Sequence, residues 1–142
     1  MTATIISELE CARLAIAWAR FVDLHDNDAV VALFADDGVL HAPGGGEIAG
    51  HPAILAALAT RSANRVTRHM LAPPLVTMKG ADEAHGVICF TVFDGFKDTH
   101  EGTGPMPLQP PVTVGEFHQT YRRTEQGWRI ASHRNVQVFK QP

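Results

Sequence analysis

Four ionisable side chains stand where the surrounding pattern asks for something else. In the last apolar segment, alternation puts Trp128, Ile130, Val136 and Val138 on one face and Arg129, His133, Asn135 and Gln137 on the other. Arg134 therefore falls on the apolar face. Asp94 follows Val87 to Phe93, a run apolar on both faces. A buried charge without a partner costs several kcal/mol, so Arg134 and Asp94 each need one. An ion pair between them would satisfy both without any catalytic role. Asp23 continues the helical stripe Ala12, Ile16, Ala19 and so aims a carboxylate inward from the end of a helix. His69 lies in Thr67-Arg68-His69-Met70-Leu71, at the start of a strand-like run. Taken singly, Asp23 reads equally as a helix-end residue and His69 as a structural histidine. Together, a carboxylate and an imidazole are the parts of a general base.

Other chemistries lack their motifs. The Gly44-Gly45-Gly46 loop has neither the Lys-Ser/Thr of a P-loop nor the spacing of a dinucleotide fingerprint. No G-x-S-x-G elbow is present. The eight histidines include no H-x-H or H-x-x-x-H pair beside a carboxylate, so no metal site is expected. Arg122, Arg123, Arg129 and Arg134 alternate across a hairpin and form no one-sided basic patch.

The elements that must position these groups follow from periodicity. Ile5 to about His25, free of Gly and Pro, reads as a long helix with the stripe Ile5, Leu9, Ala12, Ile16, Ala19. Asp26 and Asn27 supply turn and cap residues, and Ala29–Phe34 reads as a second helix ended by Asp36-Asp37-Gly38. Val39 and Leu40 open a strand, and Ala53–Ala63 forms a third helix behind Gly50 and Pro52. Then Val66–Met78, Ala84–Phe96, Val112–Thr124 and Gly127–Phe139 are strand-like. Lys79-Gly80-Ala81-Asp82 and Glu125-Gln126-Gly127 read as hairpin turns. The connection Lys97–Pro111, rich in Gly and Pro, reads as a mobile loop. In the strand before the last, Phe117, Gln119 and Tyr121 face inward, while Glu116, His118, Thr120 and Arg122 face away. Helices first and strands afterwards predict an α+β domain with an antiparallel sheet.

With 142 residues, 45% hydrophobic and 19% charged, the chain fits a single domain over residues 1–142 with a full core. A formal charge of −3 gives no electrostatic reason to expect nucleic acid or an anionic membrane. Cys11 and Cys89 both read as buried small hydrophobes. Glu8, Glu10 and Arg13 interrupt the first apolar stretch, so neither a signal peptide nor a membrane span is expected and the chain reads as cytoplasmic.

Several motifs in order resemble the SnoaL-like polyketide cyclase and dehydratase family of the nuclear-transport-factor-like superfamily. They are Phe21-Val22-Asp23, Asp26-Asn27-Asp28, Ala32-Leu33-Phe34-Ala35-Asp36-Asp37, Ile48-Ala49-Gly50, Arg68-His69, Tyr121-Arg122-Arg123-Thr124 and Gly127-Trp128-Arg129-Ile130. The resemblance implies a cone-shaped α+β barrel, with N-terminal helices on a curved, mostly antiparallel sheet that encloses a pocket. It implies an Asp–His dyad at Asp23 and His69, as in scytalone dehydratase, a bile-acid dehydratase and a hexachlorocyclohexane dehydrochlorinase. By the same resemblance Arg134 and Asp94 join the catalytic set, while Trp18 and the inward-facing Phe117, Gln119 and Tyr121 are expected to line the pocket. Five residues before the dyad Asp those enzymes carry Tyr or Lys; here Trp18 offers neither a phenol nor an ammonium group.

The expected activity is a cofactor-independent lyase or isomerase acting on a hydrophobic, oxygenated small molecule. His69 is the expected base, Asp23 its orienter and Arg134 the stabiliser of developing negative charge. A binding or interaction domain that kept the pocket without the reaction is the alternative, favoured by Trp18. In this fold the outer sheet face packs on another subunit, so the resemblance implies a homodimer or homotrimer. Specificity is expected to come from pocket shape and the Lys97–Pro111 loop.

Overall fold

The computed structural model describes residues 1–142. The first helix, α1 (Thr2–Asp23), forms as its composition dictates, but it buries a different face from the one expected. Ser7, Cys11, Ala15, Trp18, Ala19, Val22 and Asp23 are buried, while Ile5, Leu9 and Ile16 are half exposed or more. The helix is apolar almost all round, so periodicity alone does not choose its face. Small residues do: Cys11, Ala15 and Ala19 let the helix lie close to the sheet. Asp23, four residues after Ala19, is carried inward on this stripe.

The end of α1 is held firmly. Arg61 Nη1 donates to the Val22 carbonyl at 2.9 Å, covering one of the helix's last unpaired acceptors. His25 turns the chain with φ 56°, rare for a residue with a Cβ, and its Nε2 lies 2.8 Å from the Arg65 carbonyl. Asp26 then caps α2 (Asn27–Ala32) by accepting from the Ala29 N–H at 3.1 Å. That cap starts the second helix two residues earlier than expected. Strand β1 (Phe34–His41) consequently begins five residues early and absorbs Asp36-Asp37-Gly38 as an irregularity, with Phe34 opposite Ile130 and Val39 opposite Ser132.

After β2 (Glu47–Ala49) and α3 (His51–Ala59) the chain enters the main sheet. The run expected as one strand is two, β3 (Arg65–Leu71) and β4 (Leu75–Met78), because Pro73 and Pro74 cannot donate to a ladder. Both pair with the long β5 (Glu83–Phe96), which continues through β6 (Thr113–Thr124) and β7 (Gly127–Lys140). The order is β2-β1-β7-β6-β5-β3. All pairs are antiparallel except β1 with β7, so the sheet is mixed rather than purely antiparallel. It is curved under the helices, as expected, and stays open between β2 and β3, so the barrel is not closed. The core lies between α1 and the inner face, where Phe90 and Phe117 stack with ring centroids 4.4 Å apart. Ile54, Ile88, Tyr121 and Ile130 are fully buried beside them, each worth about 1.5–3 kcal/mol if apolar.

One insertion changes which side chains face inward. On β6, Thr120 and Tyr121 are adjacent, but their partners on β7 are Ser132 and Ile130. Ala131 is thus an extra residue, a bulge that reverses alternation beyond it. Trp128 and Ile130 face the core, as read from the sequence, but after the bulge it is His133 that is buried and Asn135 and Gln137 that turn to the cavity side, instead of Arg134 and Val136. Arg134 is exposed, opposite His118 on the outer face. Alternation also puts Cys89 on that face, exposed, against the expectation of burial. Cys11 is buried as expected, and burial pushes its thiol up to about 12, leaving it an unreactive core sulfur. No helix is long and apolar enough to cross a membrane.

Candidate active site

Asp23 ends α1 directly against the edge strand β3. An edge strand has N–H groups without a strand partner, and the Asp23 carboxylate takes one of them. The His69 N–H donates to Oδ2 at 2.9 Å, the Thr67 hydroxyl donates to Oδ1 at 2.7 Å, and His69 Nδ1 lies 2.6 Å from Oδ1. Thr67 and His69, two apart on one strand, share the inward face. Burial pushes the Asp23 carboxyl up, but these hydrogen bonds from His69 and Thr67 outweigh it and hold the group below its ordinary value. An ionised carboxylate only accepts, so the short contact places the His69 proton on Nδ1 and leaves Nε2 with its lone pair free. That is the tautomer a base needs.

His69 lines a cavity of about 460 Å³ together with Trp18, Phe90, Val92, His133 and Asn135. Leu40 to Pro43, Ala57 and Leu58 also line it, with Arg61, Arg65 and Thr67 near the dyad. Burial, with repulsion from Arg65, pulls the Arg61 guanidinium below its ordinary value. Apolar side chains and a set of polar groups from several elements therefore line one cavity, as in a small-molecule site.

The structure brings together some of the expected residues and separates others. Asp23 and His69 are in contact and Trp18 lines the cavity. Trp18 stacks on His133 with centroids 4.1 Å apart and meets His69 edge-on at 6.1 Å. Arg134 does not reach the site: the Ala131 bulge turns it outward, where its Nη2 lies 3.5 Å from His41 Nδ1. Asp94 pairs with Arg65 at 2.8 Å, not with Arg134, and is outside the cavity. Phe117, Gln119 and Tyr121 do face inward but lie beneath the cavity floor as fully buried core rather than as its lining. No residue of Lys97–Pro111 lines the cavity; the loop borders a separate cleft beside Asp94. The functional candidates that sequence reasoning missed are His133, Arg61 and Arg65. Arg65 was legible, since it shares alternation with Thr67 and His69. Arg134→Ala should leave stability within about 0.5 kcal/mol of the parent, as for an ordinary surface change, and leave any activity intact. Denaturant titration and a turnover assay check both.

Residues 3–134 match the SnoaL-like domain family. The chain belongs to it. Among solved structures, this SnoaL-like protein resembles an NTF2-like protein with a cystatin-like fold from Novosphingobium aromaticivorans. The two are 25% identical over 94% of this chain and 83% of the other, with a TM-score of 0.76. A scytalone-dehydratase-like protein of the same organism is 16% identical over 99% and 91%, with a TM-score of 0.77. ActVI-ORFA of Streptomyces coelicolor is 16% identical over 92% and 96%, with a TM-score of 0.73. The last two likenesses are of fold. A local stretch of 62 residues is 39% identical to RNA-directed RNA polymerase L of Hendra virus, taking in 44% of this chain and 3% of the polymerase.

Proposed function

We propose that this SnoaL-like protein is a cofactor-independent lyase or isomerase for a hydrophobic, oxygenated small molecule of polyketide, steroid or terpenoid type. The observation that carries the reading is the 2.6 Å contact between Asp23 and His69 at the wall of a largely apolar cavity. In an elimination, His69 Nε2 takes the proton from the carbon next to a carbonyl, and Asp23 stabilises the imidazolium that forms. The electron pair passes through the enolate to form the carbon–carbon double bond as the β carbon–oxygen bond breaks. The proton held by His69 leaves with that oxygen as water. Arg61 and Arg65 are the cations that line the cavity, and they take over the role first given to Arg134. All of these steps use side chains alone. The scytalone-dehydratase-like fold neighbour supports the same class of reaction.

We assign the protein to the cytoplasm as a homodimer or homotrimer. Exposed Met70 and Phe139 on the outer sheet face support an apolar contact there. A second reading, a ligand-binding domain without catalysis, is favoured by Trp18, whose indole covers His133 and stands where the family resemblance implies a catalytic Tyr or Lys. Incubation with a panel of β-hydroxy ketones, followed by the absorbance of the conjugated enone, separates the two. Enone formation above buffer that is lost in His69→Ala supports the lyase; binding without turnover supports the second reading.

A further inference from the structure

The second histidine at the cavity is built for the opposite task to the first. His133 on β7 is 1% exposed. Its Nδ1 lies 2.9 Å from Gln119 Nε2, and Gln119 Oε1 in turn accepts from the Tyr121 hydroxyl at 2.7 Å. The direction of this chain is fixed by its buried end. Tyr121 is 1% exposed, and turning the Gln119 amide over would leave the phenol proton without an acceptor. Gly86 makes room for the hydroxyl, since a Cβ there would stand 2.8 Å from it. With Tyr121 donating to the amide oxygen, the amide nitrogen donates to His133 Nδ1. The single proton of a neutral His133 must then sit on Nε2, which is buried and has no partner in the protein.

Resting on the base reading given above for His69, we infer that Tyr121, Gln119 and His133 form a relay that presents the His133 Nε2–H to an uncharged acceptor oxygen of the ligand. A ketone or enone carbonyl is the fitting group. His133 lines the same cavity as His69, and both rings pack on Phe117, with centroids 5.0 and 5.8 Å away. Asp23 gives one imidazole a proton on Nδ1 and a free Nε2; Gln119 donates to Nδ1 of the other and leaves its proton on Nε2. One accepts a proton from carbon while the other donates a hydrogen bond to the oxygen that gathers charge. Burial, reinforced by His69 and His41, lowers the His133 pKa to about 3, so the ring stays neutral while it donates. The stacked Trp18 ring covers one face and holds the imidazole in plane.

Two measurements test this without reference to turnover. Long-range nitrogen–proton NMR on histidine-labelled protein should find His133 with a protonated Nε2 and a bare Nδ1, and Tyr121→Phe should weaken that preference. A His133 protonated on Nδ1 would overturn the proposal. The second compares binding of 1-tetralone with that of tetralin, which has the same ring system without the oxygen. The ketone should bind about tenfold more tightly, the effect of one good hydrogen bond. His133→Phe should abolish that difference, and His69→Ala should keep it. Equal binding of the two by the parent, no binding of either, or an undiminished preference in His133→Phe would each sink the assignment. Loss of the base reading would instead appear as turnover unaffected by His69→Ala, with the binding preference unchanged.

Discussion

Replacing His69 by alanine is expected to lower the rate of enone formation by about 10²–10⁴-fold, the contribution of a positioned base. The loss should fall on kcat, because the group acts on a proton that moves only in the transition state. Folding should survive, since Asp23 keeps two other donors, the Thr67 hydroxyl and the backbone N–H of residue 69. Asp23→Asn tests the same unit from the other side. An amide can accept from Nδ1–H, but it cannot balance the imidazolium, so turnover should fall while the fold persists. Parent-like rates in either variant would remove the dyad from the mechanism.

Acid should destabilise this protein earlier than carboxylate titration would. His133 is neutral when folded, with its pKa lowered from 6.5 to about 3, whereas the unfolded chain protonates it near the ordinary value. Between those limits the unfolded state binds one more proton than the folded state. Stability therefore rises with pH across this window and is lost as pH falls from about 6.5 towards 3, by up to about 1.4 kcal/mol per pH unit. Asp23 acts in the same direction at lower pH. Its folded value lies below 3.8, so its contribution is complete above 3.8 and is lost as pH falls through the lowered value. Urea titrations at a series of pH values measure the slope. In His133→Phe the slope between pH 6.5 and 4 should flatten, whatever that variant's stability at neutral pH. An unchanged slope would mean that His133 takes up its proton in the folded state.

The same residue shows where sequence reading stops. Alternation along β7 correctly sends Trp128 and Ile130 inward, but Ala131 adds one residue that no local pattern marks, and it exchanges His133 for Arg134. With Arg134 turned outward, Asp94 takes Arg65 of the neighbouring β3 as its partner instead. Other features were legible and misread. Pro73-Pro74 marks the break between β3 and β4, and Asp26 marks the start of α2. The approach of Asp23 to His69 came from family resemblance, since 46 residues separate them and the contact depends on how α1 meets an edge strand. The buried face of α1 was legible only at its C-terminal end, where Ala19 and Asp23 turn inward as read. Ile5, Leu9 and Ile16 make the stronger apolar stripe, yet close packing on the sheet selects the smaller Cys11, Ala15 and Ala19.

The central claim, that Asp23-oriented His69 removes a proton from carbon inside the cavity, is tested most directly by deuterium exchange. With 1-tetralone in D₂O, the parent should wash deuterium into the carbon next to the carbonyl faster than buffer does, as followed by proton NMR, and His69→Ala should fall to the buffer rate. Exchange by His69→Ala as fast as by the parent, or a parent no faster than buffer, would contradict it.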